Sequence, residues 1–168
     1  STGVSQTVGA APTSTAITGN TPNPSVFGQG IAVSYTVTSG GGTPTGNVTV
    51  SDGSVSCTAT VAAGTCALTP SSTGAKTLTA TYAGSASFAP STSTGVAQQV
   101  DLAPTTTTIT SHTPDPTVIG ETISVSFTVT SVGGTPSGSV TVSDGTDSCS
   151  GTVSAGTCSL TPSTAGAE

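Results

Sequence analysis

Apolar residues alternate with threonine and serine in short runs along the chain, and glycine and proline separate these runs. One such run places Ile31, Val33, Tyr35 and Val37 at every second position. Because successive side chains of a β-strand point to opposite faces, a period of two predicts half-buried strands rather than helices. In the first part of the chain, the predicted strands span residues 14–18, 31–38, 47–51, 54–61, 65–69, 76–82 and 92–100.

The same pattern repeats with a period of 92 residues. Residues 10–76 align with residues 102–168 without a gap, and 43 of the 67 pairs are identical. Residues 1–4 match residues 93–96 at the same offset. We therefore expect three segments: the last strand of a preceding repeat at 1–9, a complete repeat at 10–101, and a second repeat without its last two strands at 102–168.

Turn-forming residues separate the predicted strands. The clearest turns are Asp52-Gly53 and its counterpart Asp144-Gly145, since Asp-Gly is a strong hairpin signal and the aspartate can cap its own backbone. Seven short strands within one repeat are typical of a two-sheet antiparallel sandwich. The predicted fold class is all-β, with tandem antiparallel immunoglobulin-like β-sandwiches, and a closed barrel of similar size is the alternative.

Three motifs resemble a known family. They are the threonine-rich opening at residues 104–108, the run Gly-Asn-Val-Thr-Val-Ser-Asp-Gly at residues 46–53, and the run ending in Thr-Tyr-Ala-Gly at residues 74–84. Together they resemble the bacterial immunoglobulin-like group 3 repeats. This resemblance implies tandem sandwich modules of secreted or surface-anchored bacterial proteins, used as stalk, spacer or adhesin segments, with no shared catalytic residues.

Each repeat contains one pair of cysteines nine positions apart, Cys57 with Cys66 and Cys149 with Cys158. The even number and the position on two successive predicted strands predict one cross-strand disulfide in a hairpin of each repeat. A zinc site is the alternative, but the chain has no Cys-x-x-Cys motif and the two pairs would have to converge. Disulfides indicate an oxidising compartment, so we expect an extracellular or cell-surface location.

Charge and composition restrict the partners. The chain has one Lys or Arg against seven Asp or Glu, a formal net charge of −6, and 38 Thr and 27 Ser. A single cation cannot form the basic surface that binds nucleic acid or anionic lipid, and no apolar run is long enough for a membrane helix. We expect no nucleic acid and no membrane insertion. The expected partners are neighbouring repeats, identical chains, or a host or glycan ligand.

Few residues are candidates for catalysis or metal binding. The one histidine, His112, is predicted in a loop where the first repeat has Asn20, so no repeated set of base, nucleophile and orienting group exists. We therefore expect no enzyme activity, no catalytic residues and no cofactor. Asp101, Asp115 and Glu121 are the candidate calcium ligands, because oxygen ligands near a junction of modules can hold this ion.

Two single residues are candidates for other contacts. Phe88, in a predicted loop, is the candidate aromatic side chain for contact with a sugar or receptor, because the remaining aromatics have inward positions or an aliphatic counterpart. Lys76 aligns with Glu168. A solitary exposed lysine is the expected interpretation, and a salt bridge or an isopeptide crosslink between modules is the alternative.

The second repeat lacks the counterpart of residues 77–92, so its apolar face is expected to be open. One hypothesis is that the chain continues past Glu168 with the missing strand. The other is that a strand of another chain fills the groove. The candidate donor residues, which alternation places on one face, are Thr2, Val4, Gln6 and Val8.

The function predicted from these observations is structural. The chain is expected to be a tandem segment that acts as a stalk, spacer or fibre of a bacterial surface or filament protein, with self-assembly by strand complementation as one route. The alternative is a ligand-binding or carbohydrate-binding adhesin module.

Overall fold

The chain divides into two compact units, Ser1–Leu102 and Ala103–Glu168. The computed structural model describes residues 3–165. Within this range every regular element is a β-strand apart from one 3₁₀ turn at Val61–Ala63. None of the described elements is a helix long and apolar enough to cross a membrane. The prediction of an all-β fold with immunoglobulin-like sandwiches is confirmed.

The first unit is a sandwich of two sheets. One sheet has the strand order β1 (Ser14–Thr21), β3 (Ile31–Thr38), β6 (Thr65–Leu68). The other has the order β2 (Ser25–Val26), β9 (Val96–Asp101), β7 (Gly74–Tyr82), β4 (Asn47–Ser51), β5 (Ser56–Thr60), with β8 (Ser91–Thr92) also paired to β7. All pairs are antiparallel except β2 with β9, which is parallel.

The second unit repeats part of this arrangement. One sheet has the order β10 (Thr105–Thr113), β11 (Ile123–Ser131), β14 (Thr157–Leu160), and β12 (Ser139–Ser143) pairs with β13 (Ser148–Thr152) in the other. These strands are the counterparts of β1, β3, β6, β4 and β5. The part of the second unit that the structure describes contains no counterpart of β7 or β9.

The first strand of each unit is longer than predicted. The pairing of β1 shifts between Ile17 and Gly19, and the pairing of β10 shifts between Ile109 and Ser111. A bulge of this kind absorbs one residue and lets the ladder continue beyond it. As a result His112 lies within β10 and is exposed, so its predicted loop position is wrong.

The core of the first unit lies between the inward faces of its two sheets, as the alternation predicts. Its central aromatic side chains, Tyr35 and Tyr82, are 2% and 0% exposed. In the second unit, Phe127 takes the place of Tyr35 and is also 2% exposed. The other buried apolar residues of the first core come from β3, β4, β6 and β7: Ile31, Val33, Val37, Val48, Val50, Cys66, Leu68, Leu78 and Ala80.

Residues 3–10 form no regular secondary structure and are exposed. Val4 and Val8 are 93% and 88% exposed. A strand needs a neighbouring edge to pair with, and no described strand pairs with this segment. The assignment of residues 1–9 to the last strand of a preceding repeat therefore stays a prediction.

Candidate functional site

Both predicted cysteine pairs form disulfides, with Cα–Cα distances of 6.0 Å for Cys57–Cys66 and 5.8 Å for Cys149–Cys158. The predicted hairpin is wrong, because β5 and β6 belong to different sheets. The 3₁₀ turn and Gly64, with φ at 66°, carry the chain from one sheet to the other. In the first unit the disulfide therefore joins the two layers of the sandwich.

We expect the Cys57→Ala/Cys66→Ala double variant to lose about 2–3 kcal/mol of unfolding free energy, since the loop that the bond closes is short. Urea denaturation of the first-unit transition measures this loss. Wild-type protein under reducing conditions is the matched control and should show the same loss. An unchanged midpoint in both experiments would show that the sheets hold together without the bond.

The aspartates of the two Asp-Gly turns cap their own backbone, as predicted. In the first unit, Asp52 Oδ1 accepts hydrogen bonds from the backbone N–H groups of Ser54 and Val55, both at 2.8 Å. Asp52 is only 9% exposed, and its Oδ2 atom is buried with no hydrogen-bond partner among the described residues. Turn geometry accounts for the two contacts of Oδ1.

The backbone N–H of Asp147, and next that of Thr146, hold the pKa of the Asp144 carboxyl below its ordinary value. Because folding favours the ionised form, the stabilisation is present above the unfolded-state pKa and is lost as the pH falls through the lower folded-state pKa. We expect the carboxyl carbon of Asp144 to titrate below an ordinary aspartate in an NMR pH series. A midpoint at the ordinary value would contradict these two hydrogen bonds.

The candidate calcium ligands belong to two units, Asp101 to the first and Asp115 and Glu121 to the second. Glu121 Oε2 accepts hydrogen bonds from Thr117 Oγ1 at 3.2 Å and from the backbone N–H of Val118 at 3.3 Å. This carboxylate therefore hydrogen-bonds to residues three and four positions before it in the same loop. Asp101 and Asp115 are exposed. Within residues 3–165, no three His, Cys, Asp or Glu side chains lie close enough together to hold a metal ion.

The other candidate residues have local contacts. Phe88 is half-buried and packs against the core of the first unit, which leaves less of its ring for a ligand than the predicted loop position implied. Lys76 Nζ donates a hydrogen bond to Ser72 Oγ. Glu168 and Thr2 lie outside the described residues, so their predicted roles stay predictions.

Residues 20–27 of the first unit form a site that sequence reasoning missed, and we name it the strand cradle because it holds β9. Gln98 of β9 is 1% exposed. Its Nε2 donates to the carbonyl of Pro22 at 3.1 Å and to Ser25 Oγ at 3.2 Å. Its Oε1 accepts from Asn20 Nδ2 at 2.7 Å. The buried amide of Gln98 is thus fully paired, as a buried polar group requires.

Backbone contacts extend the strand cradle along β9. Asn23 Oδ1 accepts from the backbone N–H of Gln99 at 3.0 Å, and Asn23 Nδ2 donates to the carbonyl of Ala97 at 3.1 Å. The backbone N–H of Phe27 donates to the carbonyl of Asp101 at 2.9 Å. The cradle therefore binds β9 through its own set of hydrogen bonds, in addition to the pairing of β9 with β7.

In the part of the second unit that the structure describes, a groove lies where the first unit has β7 and β9, and we name it the open groove. Its volume is about 700 Å³. Three of its lining side chains, Ile109, Val118 and Ile119, are 55%, 69% and 60% exposed. In the first unit Ile17, the counterpart of Ile109, packs against the core. The open groove is thus an apolar surface of the second unit. In the first unit, β7 and β9 cover the equivalent surface.

Comparison with known proteins identifies the family of the chain. No curated protein matches the chain. A solved structure of the fibronectin(III)-like modules of Clostridium thermocellum CbhA is similar to it, with 19% sequence identity, a TM-score of 0.42 and coverage of 87% of this chain and 90% of that chain. The family described as the bacterial Ig-like domain (group 3) matches residues 17–101, which is half of the sequence. The chain belongs to this bacterial Ig-like family.

Proposed function

We propose that this chain is a structural extracellular segment, a stalk or spacer made of tandem immunoglobulin-like modules of a bacterial surface or filament protein. The observation that carries the proposal is the repetition itself. The two compact units share five equivalent strands and the same disulfide position, and 43 of 67 aligned residues are identical. Repetition of one module extends the length of a protein, whereas a single binding or catalytic site requires only one module.

Three further features support this role. Domains of the immunoglobulin-like type are typically non-catalytic. Each unit carries a disulfide, which is characteristic of proteins in oxidising compartments outside the cytosol. The outward positions of the strands are mainly Thr and Ser, with one Lys or Arg in the whole chain. This surface is polar and carries few charged groups, and it offers little electrostatic attraction to other macromolecules.

Small-angle X-ray scattering tests the proposal. We expect the maximum dimension to grow by roughly 40 Å when one further copy of residues 10–101 is inserted between the units, because strands of 8 or 9 residues at about 3.3 Å per residue span about 30 Å and the loops at their ends add the rest. A matched insertion of a flexible Gly/Ser linker of equal length is the control. Growth no larger than that of a compact globule would contradict a stalk.

The second candidate function is an adhesin module that contacts a glycan or host ligand at Phe88. The half-buried position of this ring against the core gives that role less support than the structural one. Binding to a glycan array that Phe88→Leu abolishes, while the unfolding midpoint stays unchanged, would favour the adhesin.

A further inference from the structure

The strands β2 and β9 of the first unit run side by side in the same direction. Ser25 lies opposite Val100, and Val26 lies opposite Asp101. The chain enters β2 from the side of β1, and it leaves the sandwich at the end of β9. Because the two strands are parallel, tension along the chain pulls β2 and β9 in opposite directions along their common axis.

The strand cradle crosses this pair with hydrogen bonds that lie side by side. Seven of these bonds, each no longer than 3.2 Å, join residues 20–27 to residues 97–101. Two of them come from Asn23, which bonds to the backbone carbonyl of Ala97 and to the backbone N–H of Gln99. Because all seven connect segments that tension pulls apart along one axis, the force divides among them and they must break together.

Burial of the central bonds makes them harder to replace. Gln98 and Ser25 are each 1% exposed. A hydrogen bond at the surface is exchanged for one to water as soon as its partners separate, whereas a buried one is lost without replacement until water enters. The amide of Gln98 and the hydroxyl of Ser25 therefore resist the first small displacement of β9 against the cradle.

We propose that the strand cradle is a mechanical clamp, a set of contacts that lets the first unit transmit tension along the chain without unfolding. The inference rests on the proposed structural role and names the contacts through which such a segment bears tension. A stalk or spacer is stretched whenever the objects at its two ends move apart. In the first unit this force passes from β2 to β9 directly through the cradle.

A clamp of this kind resists force in one direction only. The strands β4 and β9 are both antiparallel to β7, so the turn after β4 lies at the end of the sandwich where β9 also ends. A pull between that turn and the end of β9 peels β9 away from its last residue onwards. The bonds of the cradle are then loaded one after another, and each step breaks a single bond.

Single-molecule force spectroscopy of the full chain in two pulling directions tests the inference. In the axial direction, handles are fused to both ends of the chain. In the peeling direction, one handle is attached to the thiol of a Ser54→Cys variant and the other stays at the C-terminal end. Ser54 is exposed, and the four native cysteines are paired in disulfides, so the new thiol reacts alone. The length of released chain identifies the unfolding of the first unit. At the same constant force, we expect axial unfolding to be slower by at least about tenfold, because several bonds must break together.

Asn23→Ala identifies the clamp, since it removes two bonds to β9 at an exposed position. We expect the axial unfolding rate at constant force to rise by about tenfold, and the peeling rate to rise by less than about threefold. Gln29→Ala is the matched control. The Oε1 atom of Gln29 accepts a hydrogen bond from the backbone N–H of Val26 at 3.1 Å, so this variant loses an exposed amide contact that does not reach β9. Its axial rate should change by less than about twofold.

A cradle that only stabilises the fold would change both pulling directions alike. Equal unfolding rates of the protein in the two directions would therefore overturn the inference. An effect of Asn23→Ala that is the same in both directions, or that Gln29→Ala reproduces, would also overturn it.

The result is distinguishable from failure of the structural proposal. If the two directions give equal rates while the insertion of residues 10–101 still lengthens the particle, only the clamp is wrong. If the particle does not lengthen but Asn23→Ala weakens the axial direction alone, the clamp stands and the stalk does not.

Discussion

Tyr82→Ala is expected to lower the unfolding free energy of the first unit by about 3–5 kcal/mol, the usual cost of deleting a buried aromatic ring. Tyr82 is 0% exposed and lies in the central strand β7. Its hydroxyl donates to the carbonyl of Thr45 at 2.7 Å. The variant therefore removes core packing and leaves a carbonyl group unpaired. Urea denaturation followed by circular dichroism gives the size of the loss.

Two control variants separate the contribution of the Tyr82 hydrogen bond from that of its ring. Tyr82→Phe keeps the ring and loses only the hydrogen bond to Thr45, so we expect a loss of about 1 kcal/mol. Thr81→Ser changes the neighbouring exposed position of the same strand and keeps its hydroxyl, so a change within about 0.5 kcal/mol is expected. A Tyr82→Ala variant as stable as Thr81→Ser would mean that β7 is not part of the core.

Gln98→Met should destabilise the first unit by about 2–4 kcal/mol although it keeps the size of the side chain. The buried amide of Gln98 makes hydrogen bonds to Asn20, Pro22 and Ser25, and its loss removes these bonds and takes this partner from the buried Ser25 hydroxyl. Hydrogen exchange should show faster opening of β9 than of β3. The strand cradle is thus expected to determine how readily β9, the last strand of the sandwich, opens.

Gln99→Met is the matched control, because Gln99 is exposed and the cradle contacts its backbone rather than its side chain. We expect a change within about 0.5 kcal/mol for this variant. Equal stability of the two methionine variants would show that the buried amide of Gln98 contributes nothing, and the cradle would then be a packing feature only.

A comparison of the two units shows how β7 and β9 affect the burial of side chains on the other strands. Val48 is fully buried in the first unit, whereas its counterpart Val140 is only partly buried. Ile109 of the second unit is exposed, whereas Ile17 packs on a core. These pairs of identical residues differ because β7 and β9 cover the first unit. The same side chain is core or surface according to strands that lie about 26 to 84 residues away in sequence.

The amino-acid sequence by itself determined the strands, their inward faces, the repeat and the cysteine partners. These features follow from local chemistry: a period of two for a strand, Asp-Gly for a turn, and one cysteine pair in each repeat. The cap made by Asp52 was predictable for the same reason, because its two acceptor contacts lie two and three residues ahead.

The tertiary structure alone decided which sheet each strand joins and which polar groups are buried. The disulfide joins two layers because β5 pairs with β4 instead of β6. Phe88 packs on the core, and Gln98 meets partners 73 to 78 positions away along the chain. Alternation identifies the face on which Gln98 lies, but its partners depend on contacts between distant segments, which a local pattern does not contain.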